Sequence, residues 1–247
     1  MQHISKAQVK QIRSLQQKKY RDELGLFVAE GEKCVSELAK TFELENLIVE
    51  DGLNLKCHMS NIDYLVASAT EIEQMSGLRA PQGVIGVFRK PSVANLQSPV
   101  SNLTLALDGI QDPGNMGTII RTCDWFGVHQ IYCSRDTADC YNPKVVQATM
   151  GALARVQIRY VDLPAWLAEQ QCPIYGTLLD GRDMYESAFE KNGIIVMGNE
   201  GNGISETVRA IITHPLRIPS YPKDAETSES LNVSIATAIV LAEFRRS

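Results

Sequence analysis

Asp108-Gly-Ile-Gln-Asp112-Pro113-Gly114-Asn115-Met116-Gly117-Thr-Ile-Ile-Arg121 is the stretch on which the fold of this chain turns. It follows the apolar run Leu103 to Leu107, which reads as a buried strand. Pro113, Gly114 and Asn115 make a turn, and Asn115 or a neighbour can cap the helix that carries Arg121. Strand, polar turn and helix in that order form the repeating joint of an α/β domain, and such sheets bind ligands outside the carboxyl ends of their strands. Asn115 and Arg121 are therefore candidate site residues, weighed against a plain connection with an exposed arginine.

Downstream, the apolar runs Gln130 to Cys133, Val156 to Ile158, Ile174 to Leu178 and Ile194 to Met197 read as further buried strands, with helical patterns between most of them. That rhythm predicts a mainly parallel sheet. Upstream the elements are shorter. Ser5 caps a helix with Val9, Ile12 and Leu15 on one stripe, running on towards Tyr20; then come a strand at Leu26 to Ala29, a helix from Gly31 to Lys40, and apolar runs at Leu47 to Val49 and Tyr64 to Val66. Thr70-x-x-Glu73 reads as a capping box, Gly77 as a helix stop, and Gly83 to Phe88 as a closing strand. Pro91 to Pro99 is polar, proline-bounded and without periodicity, so it reads as a linker between domains at 1–95 and 100–247.

Composition narrows the class. Of 247 residues 44% are hydrophobic and 21% charged, as in an ordinary globular protein, and no apolar run approaches the roughly 20 residues of a membrane span. Met1 to Lys6 starts no signal-peptide apolar core, so a cytoplasmic protein is expected. The six cysteines (34, 57, 123, 133, 140, 172) form no C-x-x-C pair and the four histidines are scattered, which suggests neither a metal site nor a disulfide framework. The net charge is −5, yet Lys6, Lys10, Arg13, Lys18, Lys19 and Arg21 occur before any acidic residue. A locally basic arm within an acidic chain is where a phosphate backbone would be gripped, or else a solvated helix face.

Two further blocks could carry chemistry. Ile194-Ile-Val-Met-Gly198-Asn199-Glu200-Gly201-Asn202-Gly203-Ile204-Ser205 is a strand opening into a glycine-rich loop with one carboxylate. Its G-x-x-G-x-G spacing matches neither a dinucleotide fingerprint nor a P-loop. Leu216-Arg-Ile218-Pro219 leads through an irregular stretch to Ser230-Leu231-Asn232-Val-Ser234, where Ser230 or Asn232 starts an alanine-rich helix suited to close packing in a core or dimer interface.

Together, Asp112-Pro-Gly-Asn115-x-Gly117-x-x-x-Arg121-x-x-x-x-Phe126-Gly127, Gly198-Asn-Glu200-Gly-x-Gly203-x-Ser205 and Ser230-Leu-Asn232-Val-Ser234-x-Ala236 resemble, in order, the three motifs of the SpoU/TrmH family of RNA ribose 2′-O-methyltransferases. Asn142-Pro-Lys144 to Met150-Gly-Ala152 resembles the family between the first two motifs. The basic helix, Phe27-Val-Ala-Glu30-Gly31 and Pro81-Gln82-Gly83-Val84 are similar to the small ribosomal-protein-like substrate-binding domain that many members carry.

The resemblance implies a knotted (trefoil) α/β methyltransferase domain in the SPOUT superfamily, preceded by an RNA substrate-binding domain. It implies S-adenosylmethionine as cofactor, held by backbone groups around Thr177, Gly198, Ile218 and Leu231. Asn115, Arg121, Glu200, Ser230 and Asn232 occupy the positions used around the ribose and its phosphate, and Lys10, Arg13, Lys18, Lys19 and Arg21 would contact RNA. Arg121 is a poor proton acceptor at neutral pH, so it is expected to clamp phosphate and stabilise an alkoxide, with Glu200 holding Arg121 or a sugar hydroxyl. A homodimer through the C-terminal helix is implied, with ribosomal RNA favoured over transfer RNA as substrate and no metal. The segment from Ser220 to Glu229 is longer than the family's usual loop and lacks its glycine. The other readings are a catalytically inactive RNA-binding protein of the same fold acting in ribosome assembly, and an α/β enzyme for a small metabolite.

Overall fold

A computed structural model describes residues 2–55, 62–91, 103–222 and 230–246. The chain divides into two compact units, one of residues 1–95 with 139–155, the other of 96–138 with 156–247.

In the first unit β1 (Gln2–His3), α1 (Lys6–Ser14), α2 (Lys18–Leu24), β2 (Leu26–Glu30), α3 (Glu32–Leu38), β3 (Leu44–Glu50), β4 (Leu65–Ala67), α4 (Ala69–Met75) and β5 (Val84–Arg89) form a mixed sheet of order β1-β4-β3-β5-β2 with its helices. Ser5 caps α1 in a full capping box with Gln8. The box at α4 is Ser68 with Glu71, two residues before the expected Thr70 and Glu73, and α4 ends at Met75 with Gly77 just beyond it. The stripe Val9, Ile12, Leu15 is buried with Ile48, Ile72 and Ile85. The helix does not run on to Tyr20: it breaks after Ser14 and restarts at Lys18.

Arg21 explains the break and corrects the expectation that it touches RNA. Its side chain is almost wholly buried, its Nη1 donates to Leu15 O at 2.9 Å and Gln16 O at 3.0 Å, and its Nε and Nη2 donate to Asp139 Oδ2 at 3.1 and 2.7 Å. Carbonyls released at a helix end need donors, and a forked guanidinium supplies several at once.

The second unit begins with β6 (Leu103–Asp108), α5 (Pro113–Trp125) and β7 (Gln130–Ser134). The chain then returns α6 (Pro143–Thr149) to the first unit before β8 (Gln157–Val161), α7 (Leu163–Ala168), β9 (Ile174–Asp183), β10 (Gly193–Gly198), α8 (Glu206–Arg209), β11 (His214–Arg217) and α9 (Val233–Arg246). Residues 139–155, expected in the second domain, thus group with the first unit. The Tyr141 ring lies tilted against Phe27, their centroids 4.8 Å apart; Phe27 also packs on Phe42 and Phe88, and Arg155 pairs with Glu37 at 2.9 Å. Of the expected linker, residues 92–99 lie outside the described set.

The second sheet has the order β11-β9-β10-β6-β7-β8, and all five of its pairings are parallel. Its central strands, apolar and buried on both faces, are of the type that parallel sheets require. From β6 the chain steps outward to β7 and β8, then crosses back so that β10 fills the place between β6 and β9. The order therefore reverses between β6 and β10, whose last residues Asp108 and Gly198 pair. A crevice at that reversal is where doubly wound sheets bind ligands.

Candidate active site

Both loops at the reversal are tied together by side chains. Asn199 Nδ2 donates to Gly109 O at 2.7 Å, and Asn199 Oδ1 accepts from Gly201 N at 2.9 Å and Asn202 N at 3.1 Å. Ser205 N donates to Asp108 Oδ2 at 2.7 Å. A side chain on Gly198 would place its Cβ 2.3 Å from the backbone carbon of Gly203, so the loop closes only over a glycine there. These contacts hold Glu200 half-buried at the loop apex.

Asp112, rather than Asn115, caps α5, accepting from Asn115 N at 2.7 Å. Asn115 is thereby left with a free side chain one turn into the helix, and its Nδ2 donates to Glu200 Oε1 at 2.5 Å. Asn232 caps α9: its Oδ1 accepts from Ser234 N at 3.0 Å, Ile235 N at 3.3 Å and Ser234 Oγ at 2.6 Å. With that oxygen committed, Asn232 can offer only its Nδ2, which donates to Asn115 Oδ1 at 2.9 Å. The amide orientations in this chain follow from capping.

At the other ends of the same helices, Arg245 Nε and Nη2 donate to Phe126 O at 2.7 Å and Gly127 O at 3.1 Å. The helices thus run parallel, and both N-termini meet at the Asn232–Asn115–Glu200 chain. Two helix N-termini side by side favour an anion.

Gly198 ends β10, Ile218 follows β11 and Leu231 precedes α9, while Thr177 lies within β9, next to Gly176, the last residue that β9 pairs with β10. The β9–β11 register jumps from Gly176 to Arg182 while the β9–β10 pairing ends at Gly176, so the backbone of 177–181 leaves both ladders. Main-chain donors and acceptors released at a sheet's carboxyl edge fit the backbone-held cofactor that the motifs imply.

Of the expected site residues, Asn115, Glu200 and Asn232 are joined directly. Arg121 is exposed six residues along α5 from Asn115 and makes no hydrogen bond or ion pair with any described residue. Glu200 therefore holds Asn115 and not Arg121. Ser230 is exposed beside Leu231, and 223–229 of the lengthened loop lie outside the described residues. Asn199, Asp108 and Ser234 were not singled out from sequence; the only signal for Asn199 was an amide inside a glycine-rich loop, where such side chains bond nearby backbone. On the other unit Lys10, Arg13 and Lys19 are exposed, and Lys18 is held by Asp22 at 2.5 Å.

Comparison with known proteins fits this geometry. Residues 102–242, more than half the chain, match the SpoU rRNA Methylase family, and residues 6–86 match an MRM3-like substrate binding domain. A TrmH-family structure from Porphyromonas gingivalis is 40% identical, with a TM-score of 0.88 over 98% of each chain. An S-adenosylmethionine-bound rRNA methyltransferase from Sinorhizobium meliloti is 29% identical, with a TM-score of 0.83 over all of this chain and 97% of that one. The 23S rRNA (guanosine(2553)-2′-O)-methyltransferase RlmP of Bacillus subtilis is 27% identical over 96% of this chain and 95% of its own. The chain belongs to the SpoU rRNA methylase family, and with it to the S-adenosylmethionine-dependent RNA ribose 2′-O-methyltransferases.

Proposed function

We propose that this chain methylates a ribose 2′-hydroxyl of large-subunit ribosomal RNA. The observation that carries the reading is the convergence of the α5 and α9 N-termini on the Asn232–Asn115–Glu200 chain at the sheet's topological reversal. S-adenosylmethionine supplies an electrophilic methyl group; Thr177, Gly198, Ile218 and Leu231 are the residues that would hold it. The residues of this chain do the positioning. Asn115 occupies one Glu200 oxygen, leaving Oε2 to accept from a ribose hydroxyl, while the two helix N-termini attract the adjoining phosphate.

Arg121 acts as a phosphate clamp that also favours the developing alkoxide. Its place two turns along α5 suits the partner's site in a homodimer. Exposed Trp125 on α5 and Ile235 on α9 support such an interface, which the family resemblance also implies. The same resemblance implies the trefoil knot, with the chain after the Glu200 loop passing through a loop to bring the second and third motifs together. Ribosomal RNA is favoured because RlmP and the Sinorhizobium relative carry that substrate class in their names. No helix among the described residues is long and apolar enough to cross a membrane, and the proposed place of action is the cytoplasm.

The test is a map of ribose 2′-O-methyl positions in RNA from cells with and without the gene, together with labelled methyl transfer to ribosomal RNA by the purified chain. Loss of one large-subunit site and its restoration in vitro is the expected result. An unchanged map with no transfer would sink the proposal in favour of an inactive RNA-binding protein.

A further inference from the structure

The first unit has a polar groove of about 350 Å³ between α1 and α4, lined by Arg13, Gln16, Thr70, Glu73, Gln74 and Ser76. Its floor is built rigidly. Gln16 Nε2 donates to Met75 O at 3.1 Å, and Ser76 Oγ and Gly77 N donate to the two carboxylate oxygens of Glu30 at 2.5 and 2.7 Å. Glu30 is itself buried, and a Cβ on Gly77 would press on Gln16 at 2.7 Å. A buried carboxylate is spent on shaping this one turn. The rim is different: the side chains of Arg13, Thr70, Glu73 and Gln74 are exposed and make no hydrogen bond or ion pair with any described residue.

The rim chemistry selects a ligand. Glu73 on the same groove as Arg13 makes it a poor phosphate site, whereas Lys6 and Lys10 continue the Arg13 face up α1 at helical spacing and suit a backbone. A guanidinium wants two adjacent acceptors and a carboxylate two adjacent donors. Among the four bases only guanine presents both, O6 with N7 and N1–H with N2–H. Sequence-reading RNA contacts are made to unpaired bases, whose edges are open.

We infer that this groove holds an unpaired guanine of the RNA, with Arg13 and Glu73 reading its two edges and Lys6 and Lys10 on the adjoining phosphates. The inference rests on the chain acting on RNA.

The test uses the full chain and labelled uridine heptamers whose central residue is G, A, C or U, with ribosomal RNA measured in parallel. The G heptamer should bind about tenfold tighter than the others. Glu73→Gln should reduce that preference to about twofold, and Arg13→Ala should weaken the G heptamer most, with melting temperature and S-adenosylmethionine affinity unchanged. Ribosomal RNA binding without any preference among heptamers, no heptamer binding at all, or a preference that survives Glu73→Gln would each overturn the guanine site. Failure to bind ribosomal RNA as well would instead overturn the functional reading beneath it.

Discussion

Asn232 donates its side-chain amide to Asn115 across 2.9 Å, and it can do so in one orientation only, because its oxygen caps α9. The same residue thus starts a helix and sets the polarity of the site. Asn232→Asp separates the two tasks. Aspartate caps as well as asparagine does, so stability should change by less than about 0.5 kcal/mol. The donor to Asn115 is lost, and turnover should fall roughly 10- to 100-fold, the effect of one orienting hydrogen bond. Thermal melts and methyl transfer on the same sample check this; equal activity would show that the Asn232–Asn115 contact is incidental.

Asn115→Asp places a second carboxylate against Glu200, at a position now 2.5 Å from Oε1. Two carboxylates so close share a proton, raising an apparent pKa of the pair. Below that pKa the shared proton restores the hydrogen bond, and above it repulsion drives the pair apart. The variant should therefore lose activity as pH rises through a range where the parent does not. Parallel pH–rate profiles would disprove the contact.

Arg121→Lys keeps the charge and removes the fork, and should lower kcat by about 10²-fold if two phosphate oxygens are gripped at once. Because Arg121 has no hydrogen-bond or ion-pair partner among the described residues, the melting temperature should not move. Single-turnover methyl transfer separates this from weakened RNA binding, and undiminished kcat would rule out the clamp.

Arg21→Ala should behave in the opposite way. It leaves Asp139 half-buried without its partner and two carbonyls without donors, at a cost of about 3–5 kcal/mol. Urea denaturation is the measurement. Arg21→Lys should recover only part of the loss, since a single ammonium cannot reach Leu15, Gln16 and Asp139 with the geometry of a fork.

Gly198→Ala should damage the site through the backbone. Its Cβ would lie 2.3 Å from the Gly203 carbon and 2.4 Å from Ile204 N, atoms that move only if the Glu200 loop opens. S-adenosylmethionine affinity measured by calorimetry should fall at least about tenfold, and an unaltered affinity would mean that this loop does not border the cofactor.

Much of the fold was legible because local physics repeats along the chain. Leu103 to Leu107, apolar but for Thr104, and Ile194 to Met197, apolar throughout, read as interior strands, and Ser5 had the right acceptor to start α1. β11 was missed because four residues containing Pro215 carry too little pattern to announce a strand; its pairing with β9 makes it one. The capping box at α4 was misplaced because Ser68 and Thr70 offer equivalent hydroxyls two residues apart, each followed at the right spacing by a glutamate.

By itself the sequence determined the class of fold, the three motif blocks and the residue types gathered for chemistry, since these depend on periodicity and spacing within a few turns of chain. Only the tertiary structure decided that Arg21 is a buried strut for a broken helix, that 139–155 belongs to the first unit, and that Glu200 holds Asn115 and leaves Arg121 apart. Each of these depends on partners brought together from distant parts of the chain. A charge or an amide looks alike in sequence whether it faces water, RNA or a carbonyl, and burial alone tells them apart.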